Sequence, residues 1–303
     1  MATVNNRLKK PQAMVISGVD AGGLMTAAIM AGYDNVMQTA PDGLQVPLKD
    51  KEIQFVRGTV TTQDWVHAVE LLTGDVGTYV FYERKSGVAE ATGYVMHTIT
   101  APVIHRMTLS LNKGGYAVVT FDFECRAADE TKGLADMWAL TDDQAAPTYI
   151  SAARGGFRIE STVHGVTPND INIYHVTAFD FSLTLPLVRA CNDADVGYTC
   201  VDAELSGLAA GGSISFQDGA IVTSALVCQQ LLAAAAAALV ITVSQSQGAA
   251  DKTLTIAGVD FSNAGSNSDV SAPFTGYTAN FDVANDTTTQ LTLAGDNKII
   301  AIA

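Results

Sequence analysis

The chain has 303 residues, of which 48% are hydrophobic and 16% charged, and its formal charge is −14 at pH 7. That composition excludes a disordered chain, and the acidity excludes a surface that grips nucleic acid through lysine and arginine. The length allows one large or two medium domains, each able to bury its own core. The imbalance sharpens along the chain: after Arg189 the bases are Lys252 and Lys298, while acids continue from Asp193 to Asp296. Such an excess serves solubility or repels a passing polyanion.

In chain order, the N-terminus is basic but lacks the apolar segment of a signal peptide. Residues 14–17 read as a short strand entering the glycine-rich turn 18–23. Residues 24–31, small and apolar, read as a helical turn or a packed arm. Residues 33–51, with Pro41, Gly43 and Pro47, lack either periodicity and read as a long loop or an extended hairpin. Residues 53–61 alternate as a strand with one wet face. Thr62-Gln63-Asp64 offers N-cap chemistry before Trp65, Val66, Val69 and Leu72, a helical stripe ended by Gly74. A strand follows at 78–83, then a hairpin of 107–111 and 116–125 around the turn 112–115. A short helix at 134–140 and strands at 158–163 and 176–185 lead to the second half. There, a strand at 213–216 precedes the cap Thr223-Ser224 and a helix of about 225–238, whose six alanines have strong helix propensity. Strands at 239–243, 277–283 and 289–293 complete the chain.

The second half repeats the first without a gap. Ile53, Phe55, Gly58, Thr62, Val66, Leu71 and Gly87 fall at a constant spacing on Ile214, Phe216, Gly219, Thr223, Val227, Leu232 and Gly248. Val60/Ile221, Val80/Ile241 and Val95/Ile256 agree in type. A fixed spacing over this length implies duplication of a module, with domains at 1–150 and 151–303. Each is mainly β with one main helix, a sandwich- or barrel-like unit.

Catalytic constellations are missing from the sequence. Gly18–Gly23 has neither phosphate-loop spacing, and His67, His97, His105, His164 and His175 are scattered without a metal-ligand pattern. His97 and His105 are placed to meet across a hairpin, although satisfied or exposed histidines are the plainer reading. Asp142-Asp143 and Asp193-x-Asp195 read as solvated loop charges. Cys125, Cys191, Cys200 and Cys228 read as buried thiols, with a Cys191–Cys200 bridge as the alternative. The longest apolar run, 231–243, is too short to span a bilayer. The expectation is a soluble, cytoplasmically made protein that is not an enzyme and takes no cofactor or metal. The informative motif is Phe-Asp alternation: Phe121-Asp122-Phe123-Glu124, Phe179-Asp180-Phe181 and Phe281-Asp282. On a strand it gives one apolar side and one negative side, which is either plain core-in, water-out patterning or the lining of an assembly.

The order strand–helix–strand–hairpin, carried by residues 53–83 and 107–124 and repeated by 213–243 and 277–283, resembles the tail tube proteins of long-tailed bacteriophages. The resemblance implies two tandem tail-tube-like β-sandwich modules, three chains completing a pseudo-hexameric ring, and rings stacked into a hollow tube that conducts DNA. It implies lumen-lining roles for Asp122, Glu124 and Asp282, and ring-to-ring contacts for Tyr33, Asp34, Pro41, Asp42, Gly43 and Pro47 on the 33–51 segment. Its implied partners are further copies of the chain, the tape measure, tail tip and terminator proteins, and DNA in transit without specific binding or membrane insertion. The implied location is the virion tail, assembled in the host bacterial cytoplasm. A single-ring baseplate hub or distal tail protein is the near alternative, and a carbohydrate-binding β-module the alternative from another class.

Overall fold

Antiparallel strands dominate the architecture, which a computed structural model describes for residues 8–16, 19–21, 24–38, 48–73, 78–85, 89–125, 133–145, 157–165, 170–189, 201–203, 207–217, 221–245, 251–267, 276–284, 291–292 and 298–303. The elements are β1 (Leu8–Ile16), β2 (Val19–Ala21), β3 (Leu24–Gln38), β4 (Leu48–Thr62), α1 (Trp65–Thr73), β5 (Thr78–Lys85), β6 (Tyr94–Thr100), β7 (Pro102–Asn112), β8 (Val118–Cys125), α2 (Leu134–Met137), β9 (Trp138–Gln144), β10 (Phe157–His164), β11 (Ile171–Tyr174), β12 (Val176–Thr184), β13 (Leu187–Arg189), β14 (Val201–Ala203), β15 (Ala209–Gln217), α3 (Ile221–Ala233), β16 (Ala237–Gln245), β17 (Lys252–Asn267), β18 (Gly276–Val283) and β19 (Ile300–Ile302). The protein is mainly β, as its sequence implies.

Strand pairing follows one order in both halves. In the first, β4 pairs with β8, β8 with β7, and β5 with β6. In the second, β15 pairs with β18, β18 with β17, and β16 with β17. Flanking strands obey the same scheme: β3 on β4 and β12 on β15, β1 on β5 and β10 on β16, β9 on β6 and β19 on β17. Irregularities coincide too. The register of β7 shifts between Ile104 and Arg106, opposite Phe123 and Asp122; that of β17 shifts between Phe261 and Asn263, opposite Phe281 and Asn280. A positive φ marks the bend that follows the outer-layer strand in each half, at Ala101 (47°) between β6 and β7 and at Gly258 (66°) inside β17.

Two layers result. One is an eight-stranded run, β3-β4-β8-β7-β12-β15-β18 closed by residues 259–267 of β17. The other holds β2-β1-β5-β6-β9 from the first half and β11-β10-β16 with residues 252–259 of β17 and β19 from the second. β12 is the joint, pairing with β15 along one edge and β7 along the other.

The core lies between the layers and is set by alternation. Phe121, Phe123, Phe179, Phe181 and Phe281 are all buried, each contributing roughly 1.5–3 kcal/mol of burial free energy. Tyr79 of β5 meets Phe121 and Phe123 edge-on, with centroids 5.8 and 5.5 Å apart; His164 of β10 meets Phe261 at 5.0 Å. Two glycines admit these rings. A Cβ on Gly58 would sit 2.8 Å from the Phe123 ring and 2.6 Å from the Ala28 carbonyl oxygen. One on Gly212 would sit 2.9 Å from the Phe281 ring and collide with the Asp180 carbonyl. Strand register thus matches Gly58 with Gly212, whereas the constant sequence spacing had set it against Gly219, which lies outside the described residues.

Several expectations change. Residues 24–31 are neither a helical turn nor an arm: they belong to β3, whose pairing with β4 runs from Leu24↔Thr62 to Gln38↔Leu48. The 33–51 segment is therefore the extended hairpin rather than the loop, with 39–47 outside the described residues. The expected helix at 225–238 is α3 at Ile221–Ala233, and Ala237 and Ala238 begin β16. Pairing with β10 and β17, which buries Leu239, Ile241 and Val243, overrides the helix propensity of alanine. β18 forms its hairpin with β17, the strand before it, and Thr292 bridges Lys298 outside the named strands. α2 ends at Met137, and Trp138 starts β9. The expected domain boundary near 150 lies outside the described residues, as do Cys191 and Cys200.

Candidate functional site

The exposed face of the eight-stranded layer is the most distinctive surface, because its side chains are small, polar and acidic. In register across it stand Thr59 and Thr61 on β4, Thr120 and Asp122 on β8, Arg106, Thr108 and Ser110 on β7, Asp180 and Ser182 on β12, Ser213 and Ser215 on β15, Thr278, Asn280 and Asp282 on β18, and Asn263 on β17. The cause is the strand period: residues on either side of each buried phenylalanine point the other way. The face is concave where the halves meet, enclosing about 860 Å³ bordered by Thr108, Ser110, Asp180, Ser213, Asn280 and Asp282.

Cross-strand hydrogen bonds order the face. Thr59 donates to Asp122 at 2.6 Å, Ser110 to Asp180 at 2.5 Å, and the Asn280 amide to Asn263 at 2.5 Å. Thr61 and Thr120 share a bond of 3.0 Å, and Ser215 and Thr278 one of 3.1 Å. Arg106 approaches Asp122 at 3.9 Å, an exposed pair of little energetic weight. Asp260 stands directly opposite Asp282 with no intervening base in that register. Like charges placed so are mildly destabilising, so the local sign of the surface is negative at a cost.

Of the expected lining residues, Asp122 and Asp282 lie on this face. Glu124 does not open onto it: the residue is 2% exposed, in register with Arg57 and Val103. Asp180 joins the set through the Phe-Asp-Phe alternation visible in the sequence. Asp260 joins it through the same signal in Val259-Asp260-Phe261, which its glycine- and serine-rich continuation concealed. Tyr33 and Asp34 are strand residues of β3, opposite Gln54 and Ile53. Pro41, Asp42, Gly43 and Pro47 lie outside the described residues.

Several titratable groups elsewhere have structural partners. Asp64 caps α1, accepting from the His67 backbone N–H at 3.3 Å and meeting its Nδ1 at 2.7 Å; that hydrogen bond raises the imidazole pKa. His97 does not meet His105, because β6 and β7 lie in different layers and do not pair. It stacks on Phe81 at 4.1 Å, accepts from the Trp138 indole N–H at Nδ1 and approaches Glu83 through Nε2, and burial lowers its pKa. Burial likewise lowers the pKa of His164, whose Nε2 meets the Val259 carbonyl at 3.0 Å. Asp142 and Asp143 are exposed, as solvated charges would be, but they belong to β9 rather than a loop and pair with the Lys85 ammonium, whose pKa their hydrogen bonds, Asp142 first, raise. Cys125 and Cys228 are free and buried, which pushes both thiols up. Among the described residues, no three His, Cys, Asp or Glu side chains group as metal ligands.

No protein-family model and no curated protein matches the chain.

Proposed function

We propose that the chain is a structural subunit of a bacteriophage tail tube, built from two duplicated modules, of which three chains complete a pseudo-hexameric ring that stacks into a hollow conduit for DNA. One observation carries the reading: a single sheet made of two halves with the same pairing order and the same bulges, concave on a polar, acidic face. A sheet that curves toward its polar side and continues from module to module encloses a wet interior when it closes. Three eight-stranded faces would make a barrel of about 24 strands, and strands about 4.8 Å apart at a tilt near 40° then give roughly 50 Å between opposite backbones. Side chains on the inner face leave room for a duplex.

The chemistry of the lining suits transit without binding. Asp122, Asp180, Asp260 and Asp282 repel phosphate, while threonine, serine and asparagine offer water-like hydrogen bonds without a fixed cationic grip. The long β3–β4 hairpin, through Tyr33 and Asp34 and the segment beyond them, is the element proposed to reach the neighbouring ring. Negative-stain electron microscopy of the concentrated protein tests the reading. Hollow tubes of stacked rings are the expected result; isolated rings would favour a single-ring tail-tip protein, and monomers at every concentration would overturn the assembly.

A further inference from the structure

The joint inside the chain is also a template for the joint between chains. β12 and β7 pair over seven positions, from Ala178↔Asn112 to Thr184↔Arg106. In the repeated pairing scheme the counterpart of β12 is β3, and the counterpart of β7 is the stretch 259–267 of β17. Register fixes the equivalence residue by residue. Ile29 lies opposite Gly58 as Phe181 lies opposite Gly212, and Asn263 follows the β17 bulge as Arg106 follows the β7 bulge. Yet among the described residues β3 pairs with β4 alone, and residues 260–267 pair with β18 alone.

Burial records the difference. Leu183 and Met107, which face each other across the internal joint, are both completely buried. Their counterparts are Ala31, exposed although strand alternation aims it into the sandwich, and Ala264, half-buried. The edge strand β3 also carries Met25 and Met30 at 46% and 54% exposure. The outer layer tells the same story. Inside the chain α1 packs beside β19, where Ile302, paired with Leu254, is partly buried against the core. The counterpart of Ile302 on β9 is Leu140, paired with His97 and 61% exposed, and the counterpart of α1 is α3, with Leu232 exposed.

We propose that β3 of one chain pairs antiparallel with residues 259–267 of a second copy, in the register of the internal joint: Ile29 opposite Ser266, Met30 opposite Gly265, Ala31 opposite Ala264 and Gly32 opposite Asn263. The same contact sets α3 of one copy against β9 of the next, covering Leu140 and Leu232. Two dissimilar edges make the interface heterologous, so repeated contacts continue past a dimer and, in the proposed three-chain ring, close on themselves. Unsatisfied edge N–H and C=O groups supply the affinity, as in strand addition generally. Small residues at the interior positions, Ala31 and Ala264, fit a joint made and unmade between chains better than the Leu183–Met107 packing of the permanent one.

The inference rests on the proposed assembly of identical chains, and its test separates the two. The double variant Met30→Cys/Gly265→Cys is oxidised in the full-length protein alongside both single variants, the wild type and the slipped pair Met30→Cys/Ala264→Cys, while light scattering reports mass before oxidation. The expected result is disulfide-linked dimers and trimers as major species in the first pair, with the slipped pair and the controls at background, because a one-residue slip moves one thiol to the other face. Oligomers by scattering with no cross-link above the single variants would overturn the register and leave the ring standing. Strong cross-linking of Met30→Cys alone would replace the proposed joint by a β3–β3 contact. Monomers throughout would overturn both the joint and the assembly.

Discussion

β12 and β3 occupy the same place in the pairing order of the two halves, and on the proposed assembly the contrast between them separates what the chain needs to fold from what it keeps for its neighbours. β12 is hydrogen-bonded along both edges and presents Phe179, Phe181 and Leu183 to the core, all buried. β3 is bonded along one edge and presents Ala27, Ile29 and Ala31 at the matching positions, two partly buried and one exposed. A strand whose neighbour is always present can carry large side chains. A strand whose neighbour arrives later must stay soluble without it, and small residues reduce that exposure.

Truncation gives the largest test of this contrast. Phe181→Ala should cost the isolated chain about 3–5 kcal/mol in urea unfolding, as expected for a fully packed aromatic. Ile29→Ala should cost well under half of that while raising the concentration at which assemblies form. Equal losses in the isolated chain would break the comparison. Next in size, Gly212→Ala forces a methyl against the Asp180 carbonyl and the Phe281 ring, with an expected loss of about 1–3 kcal/mol by the same measurement. Gly58→Ala should behave alike, since its surroundings match; a neutral outcome at one site only would unseat the residue equivalence.

How much of this the sequence made legible follows from which signals are local. Phe-Asp alternation announces the strands and their wet face, because the period of two is written in consecutive residues. The Asp64 cap and the Trp65–Leu72 stripe announce α1 for the same reason. Residues 24–31 were opaque: an edge strand of Met, Thr, Ala and Ile has weak alternation, with small residues where β12 carries phenylalanine and leucine. β17 was opaque because Asn263, Gly265 and Ser266 read as turn chemistry, although pairing with β18 keeps them in the strand. The alanines at 237 and 238 misled because propensity yields to pairing that buries their neighbours. Bulges at His105 and Ser262 have no local mark, so a gapless spacing could carry the repeat yet miss the register that equates Gly58 with Gly212. Glu124 shows the limit of alternation, which groups it with Asp122 although the residue is buried.

Smaller effects sharpen the outer layer. His97 and His164 are held neutral by burial, with folded pKa values below the unfolded value of about 6.5. The unfolded chain therefore binds more protons, and their contribution is present above that value and lost as pH falls through it toward the folded pKa. His67 has the opposite sign: Asp64 raises its pKa, so its contribution is full below about 6.5 and lost as pH rises through the folded value. His97→Gln should consequently lose less stability than the wild type between pH 7.5 and 5.5, read as the shift in urea midpoint. Smallest for folding, Asp122→Lys with Asp282→Lys should change stability by no more than about 0.5 kcal/mol per site, as surface substitutions do. The double variant should still assemble but impede DNA passage, and normal infectivity would remove these acids from the lining.

The central claim is that the chain folds with two complementary edges open and closes them only against its own copies. Amide hydrogen exchange, compared between the dilute chain and its assembled form, tests it most directly. The account predicts that peptides covering 24–38 and 259–267 gain protection on assembly to the level already held by β7 and β12, whose own protection does not change. Unchanged exchange in those two segments, with new protection elsewhere, would contradict it.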